Sequence, residues 1–150
     1  EPVLLTKAPS LPTSTAQAIT ALAPAKIIIL GGTGAVSAAV ETQLRGLGAA
    51  TVSRVSGVDR YQTAALVAGL LPTATSAYVA SGTTFPDALA GAALAGHVGA
   101  PVLLTAPKSL PGVTGSALTT MRPREIYVLG GPNAVSTAVA GQLGAYLVAP

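Results

Sequence analysis

Short apolar runs alternate along the chain with longer stretches in which Ala, Val and Leu recur at helical spacing. The runs are Val3–Thr6 (VLLT), Lys26–Gly31 (KIIILG), Ala50–Val55 (ATVSRV), Ala77–Ser81 (AYVAS), Pro101–Thr105 (PVLLT) and Glu125–Gly130 (EIYVLG). Four of them are continuously apolar, the pattern of strands covered on both faces. Helical spacing predicts helices over Thr13–Leu22, Ala35–Leu44, Arg60–Leu70, Pro86–Val98, Val113–Met121 and Ala134–Leu143. Regular alternation of strand and helix implies a parallel sheet with right-handed crossovers. The expected class is α/β, a Rossmann-like open parallel sheet.

The pattern also repeats. Pro2–Leu44 aligns with Pro101–Leu143 without a gap, and about half of the paired positions are identical. Arg45–Ala100 has no second copy. The chain therefore reads as tandem repeats: the back half of one repeat over residues 1–49, then a complete repeat over 50–150. A unit of about a hundred residues is too long for a solenoid turn and is the size of a small domain. The expectation is a processed or excised piece of a longer array, with Glu1-Pro2 leading straight into strand-like sequence and no leader.

Composition narrows the function. Half of the residues are apolar but only 3% are aromatic, which favours thin, closely packed layers of Ala, Val and Leu. Eight basic and five acidic side chains give a net charge of +3 with no basic run. Nucleic-acid binding, which rests on several clustered phosphate contacts, is not expected. With no cysteine there are no disulfides, zinc thiolates or thiol nucleophiles. Ala88–Pro107 is uncharged, yet His97, Gly99 and Pro101 interrupt it. It reads as a buried helix followed by a buried strand, not as a membrane span.

Ligands of open parallel sheets collect beyond the carboxyl ends of the strands. The loops there hold Lys7, Asp59, Arg60, Asp87 and Lys108. Lys26, Arg54, Arg122, Arg124 and Glu125 fall on the other edge or at strand starts. The turns Leu30–Ser37 (LGGTGAVS) and Leu129–Ser136 (LGGPNAVS) lead from strand to helix, where free N–H groups favour anions. The dinucleotide fingerprint is absent, because its third glycine would fall at Ser37. Gly31-Gly32 and Gly130-Gly131 are read as tight turns that permit close packing. No cofactor is expected. No D-x-D or H-x-H metal pattern occurs, and Ser81, Thr83 and Thr84 have no base arranged with them. His97, alone on an Ala/Leu/Gly helix, is read as packing or surface.

Asp59 and Gln62 fit a capping pattern, which makes Arg60 the first helical residue. A cation there faces the positive end of the helix dipole. Asp87, in the first turn of the next helix behind Pro86, is the expected relief. An Arg60–Asp87 pair follows, with a helix-clamping role and a ligand role both open.

Arg54–Ala68 (RVSGVDRYQTAALVA), Val79–Thr105 with its SGTTFPDALAG block, and Glu125–Val139 resemble the cell wall binding repeat 2 family in order and spacing. That resemblance covers Arg54–Leu143 as one repeat and Pro2–Leu44 as the second half of another. It implies secreted, cell-surface proteins of Gram-positive bacteria, anchored non-covalently to an anionic cell-wall glycopolymer. It also implies packing with other repeats about a pseudo-threefold axis, or as a homo-oligomer. By motif it carries over Asp59, Arg60, Tyr61, Phe85, Asp87 and the Gly130-Gly131 turn as site or scaffold. Lys7 and Lys108 join them as cations of the same sheet edge. A nucleotide- or sugar-phosphate-binding enzyme domain and a purely structural packing module are the alternatives.

Overall fold

The computed structural model describes residues 2–71 and 74–148, and the chain divides into two compact units, Glu1–Val58 and Asp59–Pro150. The outer bounds given to the two repeats, residues 1 and 150, lie outside the described residues. In the first unit, α1 (Thr13–Leu22), β1 (Lys26–Leu30), α2 (Ala38–Arg45) and β2 (Thr51–Val55) follow in order. β1 and β2 pair in parallel, Lys26 opposite Thr51 through Leu30 opposite Val55. Ile19, Ile29, Val36, Val40, Leu44 and Val52 form the core between this pair and its helices.

The second unit contains α3 (Arg60–Ala68), β3 (Ser76–Ser81), α4 (Pro86–His97), β4 (Val102–Thr105), α5 (Gly112–Met121), β5 (Glu125–Leu129) and α6 (Thr137–Leu143), then a 3-10 turn at Gly144–Tyr146. Its parallel sheet has the order β4-β3-β5. Successive residues of β3 point to opposite faces, as the period of a strand requires. Ala77 and Val79 meet Ala68, Leu103, Leu118 and Leu143, a core built with α3, α5 and α6. Tyr78 turns the other way, toward Ala95 and Ala100 beside α4. α3 and α4 thus cover opposite faces of the sheet. The observed fold is α/β with open parallel sheets, three-layered in this unit.

Three expectations change. Val3–Thr6 is not a strand, and Val3 and Leu5 are exposed. Its counterpart β4 is a strand because it pairs with β3, and among the described residues of the first unit there is no strand equivalent to β3. The segment keeps its local tethers all the same. Thr15 donates to the Leu5 carbonyl at 2.7 Å as Thr114 does to Leu104, and Thr6 reaches Lys7 and Ser10 as Thr105 reaches Ala106 and Ser109. Local contacts survive; the ladder does not.

The helix over Ala88–His97 is not buried. It presses only Gly91 and Ala95 fully inward, while Leu89 is 68% and Leu94 54% exposed. Gly91 is the contact residue, since a Cβ there would strike the Leu129 side chain, with Cδ2 at 2.9 Å. Small residues bring the helix close without giving it width.

α2 and α6 begin three residues later than their apolar pattern. The Ala35 and Val36 N–H groups turn back onto the Gly32 carbonyl, both at 3.0 Å, and Ser37 then caps the helix by accepting from Val40 N–H. Ala134, Val135 and Ser136 repeat this arrangement.

Candidate functional site

Asp59 caps α3 as its sequence pattern predicts, with Oδ1 accepting from the Gln62 N–H at 2.8 Å. Arg60 is therefore the first residue of α3, and Tyr61 the second. Both converge on one residue, Gly82, the first beyond β3. Arg60 Nη1 donates to the Gly82 carbonyl at 2.6 Å. The Tyr61 ring lies over the Gly82 α-carbon, so close that a Cβ would come within 2.5 Å of Tyr61 Cε1. Glycine is required here by this approach and not by backbone angle. Gly82 N–H in turn donates to the Thr105 carbonyl at 2.8 Å, which ties the platform to β4.

The inferred Arg60–Asp87 pair is not formed. Among the described residues the salt bridges are Arg45–Glu41 and Arg54–Glu41, with no carboxylate within 4.0 Å of Arg60. The strand-tip carbonyl of Gly82 supplies the partial negative charge that a cation at a helix start needs. Arg60 is an exposed residue. Asp87 lies at the Gly130 turn after β5, with its Cγ 3.0 Å from where a Gly130 Cβ would sit. The two first turns belong to helices on opposite faces of the sheet, so adjacency at one edge did not become contact.

Around Gly82 the chain forms an open depression of about 320 Å³ lined by Arg60, Ser81, Thr83, Thr84, Phe85, Ala88 and Leu104. Ser81 is buried, its hydroxyl 2.9 Å from that of Thr83, and accepts from the Thr83 N–H at 3.3 Å. This holds the loop in an open curve. Phe85, 75% exposed, stands at its rim. Lys108 is exposed on the loop after the neighbouring β4. Lys7 is exposed in the other unit.

The glycine pairs divide their labour. Gly31 and Gly130 adopt φ of 97° and 96°, where side chains other than glycine are strained. Gly32 and Gly131 have no positive φ and open space where a Cβ would go, so close packing does not require them. Arg54 is the residue whose place sequence reasoning missed. It stands fourth in the five-residue β2, and its Nη1 donates to the Gly31 carbonyl at 2.6 Å. It therefore belongs to the carboxyl edge. Glu41 bridges Arg45 at 2.6 Å and Arg54 at 2.9 Å. The Arg45 hydrogen bond, then that of Arg54, holds the Glu41 carboxyl below the usual carboxylate range.

No group of three or more His, Asp or Glu among the described residues is placed to hold a metal ion. The depression offers one guanidinium, two loop threonines and an exposed aromatic ring.

Residues 54–140, more than half of the chain, match the family model for cell wall binding domain 2, CWB2. The chain belongs to the cell wall binding domain 2 family. It is 34% identical over 142 residues to the Amidase enhancer of Bacillus subtilis (strain 168), covering 95% of this chain and 19% of that protein. It is 32% identical over 143 residues to the N-acetylmuramoyl-L-alanine amidase LytC of the same organism, covering 95% of this chain and 28% of that protein. Among solved structures, Cwp8 from Clostridium difficile superposes with a TM-score of 0.83 at 34% identity, over 97% of this chain and 25% of that one. Cwp6 from Clostridium difficile gives 0.87 at 28% identity, over 97% and 24%. The chain spans less than a third of each of these relatives. No described helix of this CWB2 chain is long and apolar enough to cross a membrane.

Proposed function

We propose that this CWB2 chain is a non-covalent anchoring module that holds an anionic cell-wall glycopolymer, a secondary polysaccharide or a teichoic-acid-like chain. The depression at the tip of β3 is the proposed site. The observation that carries the reading is the seating of Arg60: one nitrogen is fixed on Gly82, no carboxylate among the described residues neutralises it, and the planar group remains open to a phosphate or carboxylate. Tyr61 fixes the platform. Thr83 and Thr84 offer hydroxyls to sugar oxygens, and Phe85 offers an apolar face at the rim. Lys108 adds a second cation on the next loop. Asp59 acts through the cap, and Asp87 stands apart at the Gly130 turn.

Such a module serves at the cell surface of a secreted protein, beside other repeats and without catalysis of its own. The test is sedimentation with purified cell wall before and after its anionic polymer is stripped. Retention on intact wall, lost on stripped wall and weakened by salt, is expected, because a few exposed cations supply the attraction. Equal retention on both preparations would refute the polymer as ligand.

A further inference from the structure

The two copies of the repeated segment diverge at the amino edge of the sheet, where a helix runs into a strand. The first copy reads Ala23-Pro24-Ala25-Lys26 and the second, between α5 and β5, Arg122-Pro123-Arg124-Glu125. Two arginines stand where the first copy has alanines. Two of the chain's eight basic side chains therefore flank one proline.

Backbone hydrogen bonds fix this junction. Arg122 N–H closes α5 on the Leu118 carbonyl at 2.9 Å, and Arg124 N–H donates at 2.7 Å to the carbonyl of Thr75, just before β3. Between them Pro123 is fully buried, and its carbonyl accepts from the Val148 N–H at 3.0 Å. The proline turns inward and both arginines are exposed. Two residues of chain span at most about 7 Å, close enough for both guanidiniums to meet on one anionic group.

The fold makes no use of these side chains. Among the described residues the salt bridges are those of Glu41, and no side-chain hydrogen bond joins Arg122 or Arg124 to the protein. Glu125, the adjacent carboxylate, is held by the Tyr127 hydroxyl, which donates to its Oε2 at 3.0 Å. Arg122 also sits at φ 53°, in the left-handed region that favours glycine. Its counterpart Ala23 has φ 42°, so the angle belongs to the repeat and gives no reason for an arginine. The negative end of the α5 dipole accounts for one cation at the cap, but not for a second two residues on.

We propose that Arg122 and Arg124 form a second anion subsite at the amino edge of the sheet, taking a phosphate or carboxylate of the same polymer chain that the Arg60 depression holds at the carboxyl edge. The proposal rests on the anchoring function given above. The six residues of β3 put the two edges about 20 Å apart, so one long polyanion reaches both. Two weak contacts on one chain then act together, the second at an effective concentration set by the first.

The experiment measures affinity for purified anionic wall polymer, and the NMR shifts it induces, in the full chain. Wild type is compared with Arg60→Gln and with the double variant Arg122→Gly, Arg124→Gln. The double variant should bind roughly three- to tenfold more weakly, the scale of two exposed ion pairs, while its shifts at Gly82 persist. Its Tm should not fall, since glycine suits the left-handed angle at residue 122, and this separates lost binding from lost fold. Arg60→Gln should keep salt-sensitive shifts at Arg122–Glu125. Lys26→Gln removes an exposed cation at the matching junction of the other unit and should leave affinity unchanged. Undiminished affinity in the double variant, or an equal loss per charge in Lys26→Gln, would overturn the subsite and leave the Arg60 site standing. A wild-type chain that the polymer does not shift would remove the anchoring reading and this subsite with it.

Discussion

Replacing Gly82 by alanine tests the geometry on which the site rests. Gly82 has no positive φ, so alanine meets no backbone objection. The new Cβ would instead lie 2.5 Å from Tyr61 Cε1, 3.2 Å from Cζ and 3.3 Å from Cδ1. The ring has to move, and it is attached to the first turn of α3, next to the Arg60 that grips the Gly82 carbonyl. Overpacking of this kind costs roughly 1–3 kcal/mol. For a unit of this size that is a fall in Tm of about 5–20 °C. Hydrogen exchange at the amides of α3 and β3 reads the loss in the second unit alone, apart from any unfolding of the first. The cause is isolated by a double-mutant cycle. If the clash is with the ring, Gly82→Ala made in a Tyr61→Ala background should cost under about 0.5 kcal/mol, and the two changes should couple by most of the single-mutant penalty. Additive effects would refute the contact and with it the platform.

Other consequences are simpler. Asp59→Ala should destabilise the second unit by about 1 kcal/mol in chemical denaturation, and Asp59→Asn by much less, because asparagine also caps. Gly91→Ala should destabilise through the Leu129 clash by roughly 1–3 kcal/mol. Gly96→Ala, in the same helix but with open space at its Cβ, should stabilise by up to about 1 kcal/mol in the same assay. Acid should weaken the first unit through Glu41. Its pKa is lower folded than unfolded, so its stabilisation is complete above the ordinary glutamate value and fades as the pH falls below about 4. The effect is small because the group lies near solvent. Exchange of the α2 and β2 amides against pH, with Glu41→Gln flattening the profile, measures it.

Much of this fold is written in local chemistry. The bounds of α1, the start of α3 at Asp59 and the proline-led start of α4 follow from caps, turn residues and apolar spacing, which act within a few residues. What depends on lateral neighbours is not written there. Val3–Thr6 repeats the sequence of a strand but has no β3-like partner beside it. Ala88–His97 is apolar all round, yet only its two small contact residues, Gly91 and Ala95, are buried. Strand order governs the site in the same way. Arg60 and Asp87 occupy equivalent helix starts, and only the order β4-β3-β5, with α3 and α4 on opposite faces, shows that they part company. Arg54 was misplaced by a single strand end. Tyr61, carried over from the family motif, acquired a physical role only when its ring was found on Gly82.

The most direct measurement is a heteronuclear NMR titration of the labelled chain with purified anionic wall polymer, for the wild type and Arg60→Gln. Salt-sensitive shifts at Gly82, Thr83, Thr84, Phe85 and the Arg60 side chain, largely abolished there by Arg60→Gln in a folded protein, are expected. Equally tight binding by Arg60→Gln, with shifts gathered elsewhere on the molecule, would contradict the assignment.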